Sequence, residues 1–298
     1  MMKRGWRLLA IGLLVLAGGT AVADPSVCVD CHEGEVAEWS RSQHAVAMAE
    51  ASPEAVAGDF SGAHYQDSEL AVQFLEKDGQ FVIHAREGDE KRQWTVRYTF
   101  GVYPLQQYLI DIGDGRLQAF NIAWDTRSKS EGGQRWFRLD EPGQNRPGDA
   151  MHWTGIYQNW NNQCADCHST GLERNYDPVE DRYHTEWQHV AVSCTACHDA
   201  ALDHASAQQS GDSLAAGVQL AAVGAWLVSE GKQPPRLQGA KPGSKQVATC
   251  GQCHSLRTSL TDSGGSQVHD QFSLSRLDQP LYYSDGRVRE EVFVLGSF

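Results

Sequence analysis

The chain has 298 residues and a formal net charge of −13 at pH 7, because 38 acidic residues outnumber 25 basic ones. This length can hold one large or two small domains, and a hydrophobic content of 41% suffices for a buried core. No basic stripe is present that could neutralise a phosphate backbone, so the composition excludes a nucleic-acid-binding protein.

The N-terminal residues have the three parts of an export signal. A basic start is followed by an apolar run over residues 8–17 and by the small-residue cleavage site Ala21-Val22-Ala23. The apolar run is too short to span a bilayer comfortably, and no later stretch is long enough. We therefore predict a signal peptide over residues 1–23 and a periplasmic or otherwise exported protein with no stable membrane span after cleavage.

A β-rich insertion is predicted over residues 60–150. The stretch "LAVQFLEKDGQFVIHA" alternates apolar and polar residues on both sides of Asp78-Gly79, which is typical of a tight hairpin. Further β-branched and aromatic stretches follow, so we expect four to six antiparallel strands. A helix is expected later, across residues 214–228. The chain is therefore predicted to have five parts. They are a signal peptide at residues 1–23, a first segment with one cysteine motif at 24–59, the β insertion at 60–150, a segment with three further cysteine motifs at 151–260 and a C-terminal segment at 261–298.

All eight cysteines occur in pairs spaced Cys-x-x-Cys, and a histidine follows each pair directly. We number these motifs 1 to 4 along the chain, at residues 28–32, 164–168, 194–198 and 250–254. Their cysteines are Cys28, Cys31, Cys164, Cys167, Cys194, Cys197, Cys250 and Cys253, and their histidines are His32, His168, His198 and His254.

Cys-x-x-Cys-His is the attachment signature of c-type haem. Two thiols on one helical turn reach the two vinyl groups of a porphyrin, and the adjacent histidine reaches the iron as its proximal ligand. Redox dithiols, zinc sites and structural disulfides also use paired cysteines, but none of these requires a histidine after every pair. The sequence therefore predicts four covalently attached c-type haems (heme c, with iron), with zinc as the main alternative.

Longer blocks around these motifs resemble a known family. "CVDCHEGEVAEWSRSQHAVAM", "RYTFGVYPLQQYLI", "MHWTGIYQNWNNQCADCHSTGL" and "YYSDGRVREEVFVLGSF" are similar to periplasmic multihaem cytochromes of the cytochrome c-554/c-552 class, in a branch often fused to tetratricopeptide repeats. The expected fold class is α+β, with short helices and coil around the haems and an inserted antiparallel β segment. In that branch the chain continues past "GSF". The expectation is therefore either that the C-terminal segment is truncated or split, or that a partner chain supplies the missing part.

Three further histidines are candidate distal iron ligands. His44 matches a family position of this kind, and His152 lies just before motif 2. His204 follows motif 3 in a recurring pattern, and its short separation from His198 favours ligation of a neighbouring haem. Four distal positions with three candidates leave one haem without an assigned distal histidine, and His269 is the first of the weaker candidates for it.

The expected function is electron transfer through the haems, with redox proteins as partners and with no catalytic residue assigned. Whether the chain is also an enzyme is left open. The alternative function is that of a multihaem oxidoreductase acting on a small nitrogen or sulfur compound at a five-coordinate haem. A third alternative is a docking module in which the haems are structural.

Overall fold

The computed structural model describes residues 23–140, 142–143, 146–198, 200–211, 224–227, 236–241, 243–255, 257–260 and 272–275. The predicted signal peptide lies outside the described residues except for Ala23. His269 and most of the predicted C-terminal segment also lie outside them.

A nine-stranded antiparallel sheet lies between motifs 1 and 2. Its strands run β2-β3-β4-β5-β6-β8-β9, with β1 paired to β5 and β7 paired to β6. The predicted antiparallel unit is confirmed, but strands of three or four residues were missed because they are too short to show alternation. The strands are β1 Met48–Glu50, β2 Ser61–Gln66, β3 Leu70–Lys77, β4 Gln80–Glu87, β5 Glu90–Phe100, β6 Leu105–Asp111, β7 Leu117–Ala119, β8 Ile122–Asp125 and β9 Arg135–Arg138.

The predicted hairpin at Asp78-Gly79 is confirmed. Lys77 pairs with Gln80, and the two residues between them have φ angles of 53° and 74°. Positive φ at both central positions is what a type I′ turn requires, and its twist matches that of the flanking strands. The turn therefore fixes the register in which β3 pairs with β4.

An aromatic core fills one face of the sheet. Phe60 packs edge-on against Phe74, Phe81, Tyr108 and Trp136, with ring centroids 5.1–5.5 Å apart. The rings of Phe74 and Trp136 stack with centroids 3.6 Å apart. Because β3 and β9 carry these two stacked residues, the contact ties a strand near one end of the sheet path to the strand at the other end.

Short helices and small strand pairs make up most of the other regular structure in the described residues. The chain is therefore β-rich, and its helical part is smaller than the α+β prediction implied. The helices are α1 Ser26–Val29, α2 Glu33–Ser40, α3 Trp160–Gln163, α4 Ala165–His168, α5 Ala201–Gln209 and α6 Ser244–Gly251. The antiparallel pairs are β10 Tyr176–Asp177 with β11 Arg182–Tyr183, β12 Ala225–Leu227 with β13 Arg236–Gln238, and β14 Arg257–Ser259 with β15 Phe272–Leu274.

The helix predicted across residues 214–228 is wrong at positions 225–227, which form β12. Residues 214–223 and 228 lie outside the described part of the chain. Of the helices in the described ranges, none has the length and apolar character needed to cross a membrane.

A buried arginine joins the two ends of the sheet path. Arg138 on β9 has a side chain that is 5% exposed and forms a bidentate ion pair with Asp140, at 3.0 Å for both bonds. Its third nitrogen reaches Asp67, just after β2, at 3.0 Å. Burial alone would raise the pKa of each carboxyl group, but hydrogen bonds outweigh it and lower both pKa values.

We expect Arg138→Met to destabilise the protein by about 3–5 kcal/mol at pH 7, because it leaves two partly buried carboxylates without their cation. Both folded pKa values lie below the unfolded value, so the ion pairs stabilise the wild type above about pH 4 and lose this effect as the pH falls through the folded pKa values. Denaturant unfolding followed by circular dichroism should show that the difference in the free energy of unfolding between wild type and variant becomes smaller at acidic pH. Arg92→Met, which removes an exposed pair with Glu90, is the control and should cost less than about 1 kcal/mol. Equal losses in the two variants would contradict the assignment.

Candidate functional site

Each cysteine motif forms one helical turn. The backbone N–H of the histidine donates to the carbonyl of the first cysteine in all four motifs, and the eight cysteines are free thiols. Such a turn brings the side chains of the first cysteine and the histidine, four residues apart, to the same side of the backbone. The hydrogen bonds are His32 to Cys28 at 2.9 Å, His168 to Cys164 at 3.2 Å, His198 to Cys194 at 2.9 Å and His254 to Cys250 at 2.9 Å.

The four motifs are neighbours in space. Burial and the neighbouring thiol of Cys194 in motif 3 raise the pKa of Cys28 in motif 1. The thiol of Cys253 in motif 4 interacts with that of Cys167 in motif 2 and, electrostatically, with that of Cys197 in motif 3. The motifs are therefore contiguous in the order 1, 3, 4, 2.

These contacts and burial change the acidity of the thiols. Burial raises the pKa of Cys164 to about 12. The interaction between Cys167 and Cys253 lowers the pKa of Cys167 and raises the pKa of Cys253.

Motif 2 is held against the sheet by the segment before it. The side chain of Asn161, which is 1% exposed, accepts from the N–H of Leu117 at 2.8 Å. It also donates to the carbonyl of Gly115 at 3.1 Å and to the hydroxyl of Thr185 at 2.9 Å. One buried amide therefore fixes α3 relative to β7, and α3 leads directly into motif 2.

The segment at residues 189–193, just before motif 3, binds the segment that follows motif 1. The Nε1 of Trp39 donates to the carbonyl of Val192 at 2.9 Å, and the N–H of Val192 donates to the carbonyl of His44 at 3.2 Å. The N–H and the carbonyl of Val192 are therefore both hydrogen-bonded to the segment that follows motif 1. Because Val192 lies two residues before Cys194, these bonds hold motif 3 beside the segment that links motif 1 to the sheet.

The same segment also binds the residues after motif 2. The hydroxyl of Thr170 donates to the carbonyl of Ala191 at 2.7 Å and accepts from the N–H of Ser193 at 2.9 Å. The backbone of Thr170 pairs with that of His189. Thr170, Ala191 and Ser193 are all buried, so these bonds are shielded from water. Sequence reasoning missed Thr170, because its partners lie 21 and 23 residues away and no local pattern marks them.

The histidine of motif 2, His168, has a fixed tautomer. Its Nδ1 lies 2.9 Å from the carbonyl oxygen of Ala47, which can only accept, so Nδ1 carries the proton and Nε2 is the unprotonated nitrogen. Burial lowers the pKa of His168, which favours the neutral form. A neutral imidazole oriented through its Nδ1–H is the usual arrangement of a metal-bound histidine.

Two of the predicted distal histidines lie beside histidines of the cysteine motifs. The ring centroids of His32 and His204 are 6.4 Å apart, and those of His44 and His254 are 6.0 Å apart. Two imidazoles on opposite sides of one metal ion, with metal–nitrogen bonds of about 2 Å, have centroids roughly 6 Å apart. The spacing of both pairs therefore fits axial ligation of one iron by each pair.

The third predicted distal histidine, His152, has a different environment. Its side chain is 1% exposed, with Nδ1 at 2.8 Å from the Thr154 hydroxyl and Nε2 at 3.1 Å from the Glu87 carboxylate on β4. Both ring nitrogens thus have protein partners, and iron ligation would require breaking one of these contacts. The assignment of His152 as a distal ligand stays a prediction.

The residues present fit covalent c-type haem. Each motif offers two free thiols and a histidine on one turn, His168 presents an unprotonated Nε2, and two histidine pairs have the spacing of axial ligands. Across the described ranges of the chain, no three His, Cys, Asp or Glu side chains form a cluster that could hold a bare metal ion.

We expect Thr170→Val to lower the stability of the haem-loaded protein, because it leaves a buried carbonyl and a buried N–H without partners at about 1–3 kcal/mol each. Thr170→Ser keeps the hydroxyl and serves as the matched control. Unfolding in guanidinium chloride measures both variants. If valine costs no more than serine, the hydroxyl does not join motifs 2 and 3.

The comparisons with known proteins agree with this site. The chain matches the family described as cytochrome c554 and c-prime at residues 27–88 and 125–199, which include motifs 1, 2 and 3. No curated protein and no solved structure matches it. Covalently bound c-type haem is the cofactor that this family implies, and the cysteine motifs fit it, so the matched residues support a c-type cytochrome of the cytochrome c-554 class.

Proposed function

We propose that the protein is an exported, periplasmic tetrahaem cytochrome that transfers electrons through four covalently bound haems, surrounded by the short helices and coil of the motif segments. The observation that carries this proposal is the contiguity of motifs 1, 3, 4 and 2 through their cysteine side chains. Electron transfer falls steeply with distance, so adjacent attachment sites are the arrangement that this function needs.

The chain's own residues bind and orient the cofactor. The eight cysteines of the four motifs would form the thioether bonds, and His32, His168, His198 and His254 would be the proximal ligands. When bound, haem supplies reversible one-electron chemistry at its iron. The hydrogen bond from His168 to Ala47 holds one ligand ring in a single orientation, which limits its movement during oxidation and reduction.

His204 and His44 are the best supported distal ligands. Their rings face His32 and His254 at the spacing of axial pairs, so we assign His204 to motif 1 and His44 to motif 4. His204 thus serves a motif other than the one it follows in sequence, as its short separation from His198 suggested. Two histidine ligands of this kind favour outer-sphere electron transfer over substrate binding at those positions.

The partners we propose are redox proteins. The net charge of −13 makes a partner with a basic surface the expected counterpart, since opposite charges accelerate encounter at low salt. The proposal of export rests on the signal peptide predicted over residues 1–23.

We expect the mature protein, produced with a cytochrome c maturation system, to carry four haems by intact mass. Changing both Cys250 and Cys253 to Ala should remove one haem and leave three, because motif 4 would lose both thioether bonds. The same double change in motif 1, at Cys28 and Cys31, is the matched control. A wild-type mass with three haems, with zinc or with disulfides would contradict the tetrahaem proposal.

We expect His204→Ala and His44→Ala each to convert one additional haem to the high-spin state without loss of haem mass, because the thioether bonds remain. Magnetic circular dichroism and electron paramagnetic resonance of the oxidised protein count the low-spin and high-spin irons. His152→Ala tests the third predicted ligand in the same way: one additional high-spin haem would support the assignment, and an unchanged count would remove it. An unchanged count in His204→Ala or His44→Ala would remove that ligand assignment.

A further inference from the structure

A buried arginine lies between motifs 2 and 4. Arg257 begins β14, three residues after His254, and its side chain is 3% exposed. Its Nε donates to the carbonyl of Gln252 in motif 4, and its Nη2 lies 3.9 Å from the sulfur of Cys167 in motif 2. The guanidinium carbon lies 3.7 Å from the centroid of the Phe272 ring on β15. Arg257 therefore contacts both motifs and is covered by an aromatic ring.

The positive charge of Arg257 is only partly compensated. Its carboxylate neighbour Asp166, inside motif 2, lies 3.9 Å from Nη2, beyond hydrogen-bonding distance. Asp166 instead pairs closely with Arg174, at 2.7 Å. Among the described residues, two guanidinium groups thus share one carboxylate, which leaves a net charge of +1 in this cluster of an otherwise strongly acidic protein.

Two buried donors in this cluster have no hydrogen-bond partner among the described residues. They are Nη1 of Arg257 and Nε of Arg174. Proteins usually satisfy buried N–H groups, and an uncompensated buried charge is costly, so such groups call for a functional explanation. One such function is control of a reduction potential. A buried cation without a full counter-charge interacts strongly with a redox centre nearby whose charge changes, because the surrounding dielectric constant is low.

The surroundings of motif 1 have the opposite sign. Glu33 and Glu35 lie in the first turn of α2, directly after His32, and the Glu35 carboxylate is 3.9 Å from Nδ1 of His32. These side chains are exposed, at 53% for His32 and 78% for Glu35, so water and salt screen them. The larger effect should therefore come from the buried arginine.

We propose that Arg257, supported by Arg174, raises the reduction potential at motifs 2 and 4 above that at motif 1. Reduction removes one positive charge from an iron centre, so a nearby buried cation favours the reduced form and a nearby carboxylate favours the oxidised form. The first electron taken up by the protein is then held beside Arg257 rather than beside Glu35. This inference rests on the proposed tetrahaem function and gives it a direction, from motif 1 towards motif 2.

The test is a spectroscopic potentiometric titration of the haem-loaded protein, after intact mass has confirmed the haem number in every variant. Arg257→Gln should shift the highest-potential step downwards and leave the lowest-potential step in place. Arg257→Lys keeps the charge and should restore most of the wild-type value. Asp166→Asn, which removes the one negative charge of the cluster, should shift the same step upwards. Opposite shifts from two neighbouring residues would not arise from loosened packing alone.

Arg92→Gln is the control, because it removes an exposed arginine of the sheet and should move no step. If Arg257→Gln does not accumulate, Arg174→Gln removes charge from the same cluster at a side chain that is 35% exposed, and it should also lower the highest step. An unmoved highest step in these variants, or a downward shift in Asp166→Asn, overturns the inference. Neither result affects the tetrahaem proposal, which the intact mass tests separately.

Discussion

The extended segment at residues 189–193 is the constraint on which the arrangement of the motifs depends. It leads directly into motif 3, and its backbone N–H and carbonyl groups form hydrogen bonds with two other parts of the chain. Val192 binds Trp39 and His44, after motif 1, while Ala191 and Ser193 bind the Thr170 hydroxyl, after motif 2. A loop of this kind would ordinarily be satisfied by water. Here protein groups take that role, so motifs 1, 2 and 3 are held relative to one another by backbone hydrogen bonds as well as by side-chain packing.

The sheet serves this arrangement as a rigid support. Pairing of β1 with β5 places the Ala47 carbonyl where it accepts from both Gly101 and His168, so one oxygen connects the sheet edge to motif 2. Asn161 makes a second connection through β7. The strands that supply these contacts, β5 and β7, lie mainly in residues 89–124, between the two stretches that match the family. Residues outside the two matched stretches are therefore part of what orients His168, which lies inside one of them.

The sequence predicted those structural elements that are determined by residues close together in the chain. The hairpin at Asp78-Gly79, the alternating strands beside it and the helical turn of each motif could all be anticipated, because each is decided within a few residues. Thr170 and Arg257 could not, since their roles come from partners that the fold brings together across 21 to 91 positions of the chain. The contact of His152 with Glu87, 65 residues away, also lay beyond sequence reasoning, and the role of His152 as a ligand stays a prediction.

The bonds of Val192 also bear on how such a chain can assemble. Trp39 and Val192 are 153 residues apart, so joining them directly would close a long loop, at an entropic cost that grows with the logarithm of its length. Most of the intervening strands pair with the next strand along the chain through short turns, which are local contacts that form quickly. Once the sheet exists, its two ends already lie near each other, because Arg138 holds β9 beside the end of β2. The insertion thus shortens the loop that the contact between the motif segments has to close.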